Sequence, residues 1–210
     1  MTPDTRAAID GLLLRDPDLA RIEAAAGPLP WRVRPLGLPG LLQAIVAQQI
    51  SSRAASAIWG RLQALPGALE PAGLLELDEA LLLKAGLSRP KVAHVRALAT
   101  AWIDGRLGEP MLSRLDDTAA IAAITSVRGL GPWTAEVYLL FAQGRHDVFP
   151  AGDVALAAAA MDLKALPARP GPVAFRALAE QWRPHRALAA RLLWRHWRHV
   201  TGRPAMDDVS

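Results

Sequence analysis

The chain is 210 residues long, 51% hydrophobic and 21% charged. That balance can bury a sizeable core, as one domain or two small lobes, and excludes intrinsic disorder. The absence of cysteine excludes disulfides, thiolate nucleophiles, Cys zinc sites and Cys-ligated iron–sulfur clusters.

The formal net charge is +4, the pI is about 10.3, and Lys84, Lys91 and Lys164 are the only lysines, so the positive charge is almost all arginine. Arg pairs bidentately with phosphate, so the balance is compatible with a nucleic-acid partner, although many other soluble proteins share it. No apolar run approaches the roughly 18 residues of a membrane span. The N-terminus lacks a signal-peptide pattern. A soluble, cytoplasmic protein without a membrane partner is expected.

Periodicity predicts helices in succession. The first runs from Thr2 to Leu14, with Ile9, Leu12 and Leu13 on one face, and the second from Pro17 to Ala25. Gly27-Pro28-Leu29-Pro30 breaks the pattern, and Trp31 to Pro39 is a Pro-rich connection. Pro39 opens a helix carrying Leu41, Leu42, Ile45 and Val46 that runs into Ala47-Gln48-Gln49-Ile50-Ser51. Ser51 or Ser52 can cap the next helix, which carries Ile58, Trp59 and Leu62. Pro66-Gly67 and Pro71-Ala72-Gly73 mark turns, and Glu76 to Ala85 reads as one short Leu-rich helix. Ser88 starts a helix with Val92, Val95, Leu98, Ala99 and Trp102 at helical spacing, ended by Gly105. Asp116 or Asp117 caps a helix through Ile121 and Ile124 to Val127. Helices then run from Pro132 to near Gly144, from Asp153 to about Leu163, from Val173 to Trp182 and from Pro184 to Val200, with a loose tail over 201–210. No strand is predicted, and the fold class is all-α.

The most informative stretch is Ser126 to Leu156. One helix ends, the chain turns through Arg128-Gly129-Leu130-Gly131, and another helix starts at Pro132-Trp133. Paired glycines in so tight a connection point to positive φ or to close approach by a neighbour. Pro fits the first helical position, where its missing N–H has no intrahelical partner. Such a turn is either an ordinary αα-hairpin with a glycine cap or a helix start whose free amides receive an anion such as phosphate. Downstream lies Phe149-Pro150-Ala151-Gly152-Asp153, and Asp153 is placed to cap the Ala-rich helix.

This run resembles the helix-hairpin-helix plus Gly/Pro-Asp signature of the DNA base-excision glycosylases, and within them the DNA-3-methyladenine glycosylase II branch. The resemblance extends from about Leu41 to Trp197. It implies a two-lobed helical fold with a cleft for the base. In numbers, a single helical unit over 1–210 is expected, with lobe one over about 40–150 including the hairpin at 118–143. Lobe two is expected from about 1–39 plus 151–200.

The resemblance also implies roles. Gly129 and Gly131 grip a DNA phosphate, and Asp153 is catalytic; capping and catalysis can coexist in one carboxylate. Trp133 and Trp194 line the base pocket, where an aromatic face attracts a cationic alkylated base by about 0.5–2 kcal/mol. Tyr138 contributes, and Val137 stands where some relatives carry an aromatic. For any Trp the alternative is a core role, which is the reading taken for Trp59 and Trp102. Gln49 matches the side chain that fills the gap left by an extruded base, since flipping costs a few kcal/mol of pairing and stacking. Ser51, Arg89, Lys91 and Arg128 are candidates for the DNA backbone, although a surface Arg is usually only solvated charge.

Members that also cut the strand use a Lys at the position of Trp133, and Trp cannot form an imine, so a monofunctional enzyme is expected. Asp147 is expected to be a turn or ion-pair residue. His94, His146, His185, His196 and His199 have no metal spacing, so no side-chain metal site is expected. The resemblance leaves room for a monovalent cation on hairpin carbonyls over 126–131. The expected partner is double-stranded DNA containing alkylated bases, bound by a monomer that is nucleoid-associated in a bacterium. The alternatives are a non-catalytic helix-hairpin-helix binding module and a glycosylase for another lesion.

Overall fold

The computed structural model describes residues 1–203, and they fold into helices without strands. In chain order these are α1 (Pro3–Arg15), α2 (Pro17–Ala26), α3 (Leu38–Ala47), α4 (Ser52–Gln63), α5 (Pro71–Glu76), α6 (Glu79–Lys84) and α7 (Arg89–Ile103). They are followed by α8 (Glu109–Leu112), α9 (Asp117–Thr125), α10 (Pro132–Phe141), α11 (Val154–Leu163), α12 (Pro172–Ala179) and α13 (Arg186–Thr201), with a 3₁₀ turn over Glu180–Trp182. Among the described residues no helix is long and apolar enough to cross a membrane.

Local chemistry sets the helix starts. Thr2, Ser51, Ser88, Asp116 and Asp153 each accept the backbone N–H three residues ahead through the side-chain oxygen. Each such cap contributes on the order of 1 kcal/mol. Pro opens α1, α2 and α10 for the reason given above.

The predicted elements differ from the fold in five places, one of them the helix expected over Val173–Trp182, whose last three residues form the separate 3₁₀ turn. Pro71-Ala72-Gly73 is the first turn of α5 rather than a loop, because Pro is as well suited to the first helical position as to a turn. The helix expected over Glu76–Ala85 is broken at Leu77 and restarted by Asp78, whose carboxylate accepts from the Ala80 N–H. The four-residue helix α8 is too short to leave a periodic trace. The last helix starts at Arg186 instead of Pro184 and reaches Thr201, closed by Gly202 at φ +64°. The rest of the expected tail, 204–210, lies outside the described residues.

The described residues divide into two compact units, one formed by Arg34–Gln143 and the other by Met1–Val33 with residues 144–203. The divisions fall earlier than the expected 39/40 and 150/151. Residues 34–37 are tied into the first of these units: the Arg34 N–H donates to the Phe141 carbonyl (3.0 Å) and the Gly37 N–H to the Tyr138 hydroxyl (2.9 Å). His146 belongs to the other, its carbonyl accepting from the Ala187 N–H (3.0 Å).

In the Arg34–Gln143 unit α3 is the central helix, packed by α4, α7 and α10. Its Leu41, Leu42, Ile45 and Val46 are buried, each side chain worth about 1.5–3 kcal/mol on transfer from water. In the other unit α13 packs on α2 and α11. Its core holds a polar knot. The buried Asp16 carboxylate caps α2 and accepts from Lys164 Nζ (2.8 Å) and Trp182 Nε1 (2.7 Å). Burial pushes the Asp16 carboxyl up, but the Lys164 and Trp182 bonds outweigh it and hold the group below the ordinary aspartate range.

Candidate DNA interface and active site

The hairpin is built between α9 and α10. The chain leaves α9 through Ser126, the Leu130 N–H closes a turn on the Val127 carbonyl (3.1 Å), and Gly131 becomes the N-cap of α10. The two glycines serve different ends. Gly129 has φ +88°, and a Cβ there would lie 2.1 Å from Cγ of His94, a side chain of α7. It therefore needs the absent side chain twice over, for its backbone and for the imidazole against it. Gly131 has an ordinary extended backbone (φ −84°) and open space around it. Having no side chain, it leaves the first-turn amides of α10 without a side-chain cap. Gly131, Pro132 and Arg128 are exposed, so the uncapped helix end opens to solvent, where an anion is favoured.

The α3–α4 connection lies in the same unit. Gln49 is exposed and adopts φ +56°, a left-handed conformation uncommon outside glycine and held only where the surroundings enforce it. Ile50 beside it is 38% exposed. Gln48 turns the other way, its amide donating to the Gly129 carbonyl (3.0 Å) and to Thr134 Oγ1 (3.1 Å). Ser51 is committed as the α4 cap, accepting from the Ala54 N–H (3.3 Å).

Of the two basic residues expected at the start of α7, Arg89 is exposed, but Lys91 is turned inward. Its ammonium donates to the Val46 carbonyl (2.7 Å) at the end of α3, and burial pushes it below the ordinary lysine range. Lys91 thus braces α3, which corrects its expected place on the DNA backbone.

Trp133 is half-buried in the first turn of α10. Val137 and Tyr138 are enclosed at 0% and 1% exposure. The Tyr138 hydroxyl accepts from the Gly37 N–H and donates to Glu109 (2.5 Å), whose other oxygen takes the Gln143 amide (2.8 Å). Tyr138 is therefore a structural hydroxyl, engaged inside its own unit, and not the open pocket wall expected of it.

In the other unit, Phe149 anchors the loop before α11, packing edge-on against Phe175 (4.9 Å between ring centres) and near Trp182 (5.7 Å). The loop then closes on itself, the Asp153 N–H donating to the Pro150 carbonyl (2.9 Å). This delivers Asp153 to the α11 N-terminus at 8% exposure, with Oδ1 accepting from the Leu156 N–H (2.9 Å). Trp194 is fully buried in α13, a core side chain of its own unit and not the pocket wall expected of it. Asp147 is an ion-pair residue, as expected, bound by Arg186 (Nε at 2.9 Å) and Arg183 (3.0 Å). Among the described residues no cluster of His, Asp and Glu could hold a metal ion.

Of the expected site residues, the Arg34–Gln143 unit gathers Gln49, Ser51, the hairpin, Trp133 and Arg128, while Asp153 and Trp194 belong to the other unit. Two residues with a part in the site escaped the sequence reading of that part. In the sequence Gln48 is only a member of the helix-end run 47–51, and His94 only one of five histidines without metal spacing.

A helical chain carrying a glycine hairpin with an uncapped helix end, followed by a Pro/Gly loop that delivers one buried carboxylate to a helix start, has the architecture of helix-hairpin-helix proteins of DNA repair. The profile described as HhH-GPD superfamily base excision DNA repair protein matches residues 42–185, and the chain belongs to that superfamily. It is 30% identical over 159 residues to DNA-3-methyladenine glycosylase 1 of Schizosaccharomyces pombe, covering 74% of this chain and 70% of that protein. The crystal structure of a DNA-3-methyladenine glycosidase from Bacillus halodurans superposes with a TM-score of 0.79 at 30% identity, over 96% of this chain and 91% of the other. The S. pombe 3-methyladenine DNA glycosylase in complex with abasic DNA gives 0.77 at 27% identity, over 86% and 90%.

Proposed function

We propose that this protein is a monofunctional DNA glycosylase that extrudes alkylated, 3-methyladenine-type bases from duplex DNA and hydrolyses their N-glycosidic bond. The observation that carries the proposal is Asp153, a single carboxylate buried and oriented by capping α11 in a chain of this superfamily. An N-alkylated purine already bears positive charge and departs as a neutral base, so the leaving group needs little acid assistance. One carboxylate then suffices to stabilise the oxocarbenium-like sugar and to orient water. The C1′–N bond breaks, the water oxygen bonds to C1′, and the proton goes to solvent, leaving free base and an abasic site.

In this reading the α10 amides and Arg128 hold a phosphate, with Arg89 at the DNA backbone, and Gln49 fills the gap in the stack. Trp133, half-buried at the start of α10, is the aromatic face offered to the cationic base. The Trp at position 133 offers no amine for a Schiff base, which supports hydrolysis without strand cleavage. A monovalent cation on the 126–131 carbonyls is part of the same reading.

The test is release of free base from methylated duplex DNA by wild type and Asp153→Asn, with strand breaks examined before and after alkali. Release by wild type alone, with breaks only after alkali, is the expected result. Release by the variant at the wild-type rate removes Asp153 from the chemistry. Tight duplex binding with no release by either protein indicates a binding module instead.

A further inference from the structure

Gln48 and Gln49 are adjacent, yet the backbone sends one inward and the other into solvent. The Gln48 amide spans from the α3–α4 connection to the hairpin and uses both N–H donors there, on the Gly129 carbonyl (3.0 Å) and on Thr134 Oγ1 (3.1 Å). Thr134 is 2% exposed, so the anchor at that end is buried. On the α3 side, Lys91 holds the Val46 carbonyl (2.7 Å) and fixes the last turn before the connection. Between these two attachments Gln49 is held at φ +56°, a conformation a non-glycine residue keeps only under constraint.

We infer that Gln48 is a positioning residue, a clamp that locks Gln49 in its outward left-handed conformation and joins it rigidly to the phosphate-gripping hairpin. The inference rests on the reading of Gln49 as the gap-filling side chain. Its consequence is that phosphate grip and gap filling move as one body. A Gln49 free to relax toward ordinary φ would meet the duplex in many orientations, and the cost of ordering it would fall on the extrusion step.

The experiment compares single-turnover base release from methylated duplex DNA for wild type, Gln48→Ala, Gln49→Ala and the double variant. Duplex affinity, its salt dependence and thermal unfolding are measured alongside. Gln48→Glu serves as a second probe, because it keeps the shape but presents a carboxylate to the Gly129 carbonyl. Loss of two hydrogen bonds worth about 1 kcal/mol each predicts release slowed about ten- to thirtyfold in Gln48→Ala. Gln48→Glu, which can still accept from the Thr134 hydroxyl but sets a carboxylate against the Gly129 carbonyl, should also be slowed. The salt slope should stay at its wild-type value, since no phosphate contact is removed. If Gln48 acts through Gln49, the double variant is no slower than the slower single one.

Multiplicative losses in the double variant, or a Gln48 effect that tracks only a lowered melting temperature, would overturn the clamp. So would wild-type rates in both Gln48 variants while Gln49→Ala is slow, and in that case the gap-filling reading stands. A wild-type rate for Gln49→Ala removes that reading and the clamp with it.

Discussion

Gly129→Ala tests the hairpin from within. The substitution meets two penalties that can be sized separately. At φ +88° an L-side chain is strained, at a cost of about 1–2 kcal/mol. The added Cβ would also lie 2.1 Å from Cγ and 2.3 Å from Cδ2 of His94, against an ordinary contact distance of 3.4 Å or more. Either the imidazole or the hairpin must move by more than an ångström, and overpacking of this kind costs about 1–3 kcal/mol. The expected loss is about 2–5 kcal/mol in urea unfolding followed by the helical signal. His94→Ala supplies the control, since it removes the obstruction and leaves the backbone strain. In that background Gly129→Ala should cost only about 1–2 kcal/mol. The coupling between the sites should then be about 1–3 kcal/mol. A displaced hairpin should also flatten the salt dependence of duplex binding, because fewer phosphates are engaged. A Gly129→Ala protein within about 0.5 kcal/mol of wild type, or one equally destabilised with and without His94, would refute this account of why the glycine is there.

Other outcomes follow from the two polar knots. Tyr138→Phe leaves the buried Gly37 N–H and the Glu109 carboxylate without the hydroxyl, and should cost about 1–3 kcal/mol in unfolding free energy without changing the salt slope of DNA binding. A neutral substitution would mean that the hydroxyl bonds contribute nothing net. Asp16→Asn should destabilise the protein at neutral pH. The Asp16 carboxyl is held below its ordinary value in the folded state, so its contribution is complete above the ordinary aspartate value of about 4 and is lost as pH falls from there through the folded value. The stability gap between wild type and Asp16→Asn should therefore narrow on acidification, and a gap constant from neutral pH to strong acid would contradict the assignment.

Much of this architecture was legible because helix starts are written locally. Ser51, Ser88, Asp116 and Asp153 lie three residues from the N–H groups they accept, so pattern narrows each cap to one or two neighbouring positions. The hairpin was legible because two glycines and a proline within five positions leave the backbone few alternatives. The break at Leu77-Asp78 was hidden by an unbroken leucine pattern on either side, which periodicity reads as one helix. The inward turn of Lys91 and the engagement of Tyr138 were hidden for another reason. Their partners, Val46 and Glu109, lie 45 and 29 positions away and carry no signature of their own. Gln48 is the extreme case, bonding a backbone carbonyl 81 positions distant, a group that every residue possesses. His94 is invisible to chemical pattern because its contribution against Gly129 is one of volume.

The starts of α10 and α11 meet the same physical problem in opposite ways. Every helix N-terminus presents unsatisfied N–H groups and partial positive charge. α11 answers from inside the chain, with the Asp153 carboxylate on the Leu156 N–H. α10 has Gly131 at the same position, with no side-chain cap and open space around it. Giving α10 the α11 solution should therefore set stability against function. Gly131→Ser and Gly131→Asp suit the extended N-cap backbone and meet no neighbour. Either should stabilise the fold by a few tenths of a kcal/mol, while weakening duplex affinity because the new oxygen occupies the amides that would bind phosphate. The Asp variant should weaken it further by charge repulsion, with the difference between the two shrinking as salt is raised. If both variants bound duplex with wild-type affinity and slope while gaining stability, the open end of α10 would not be the phosphate site, whatever the glycines contribute to the turn.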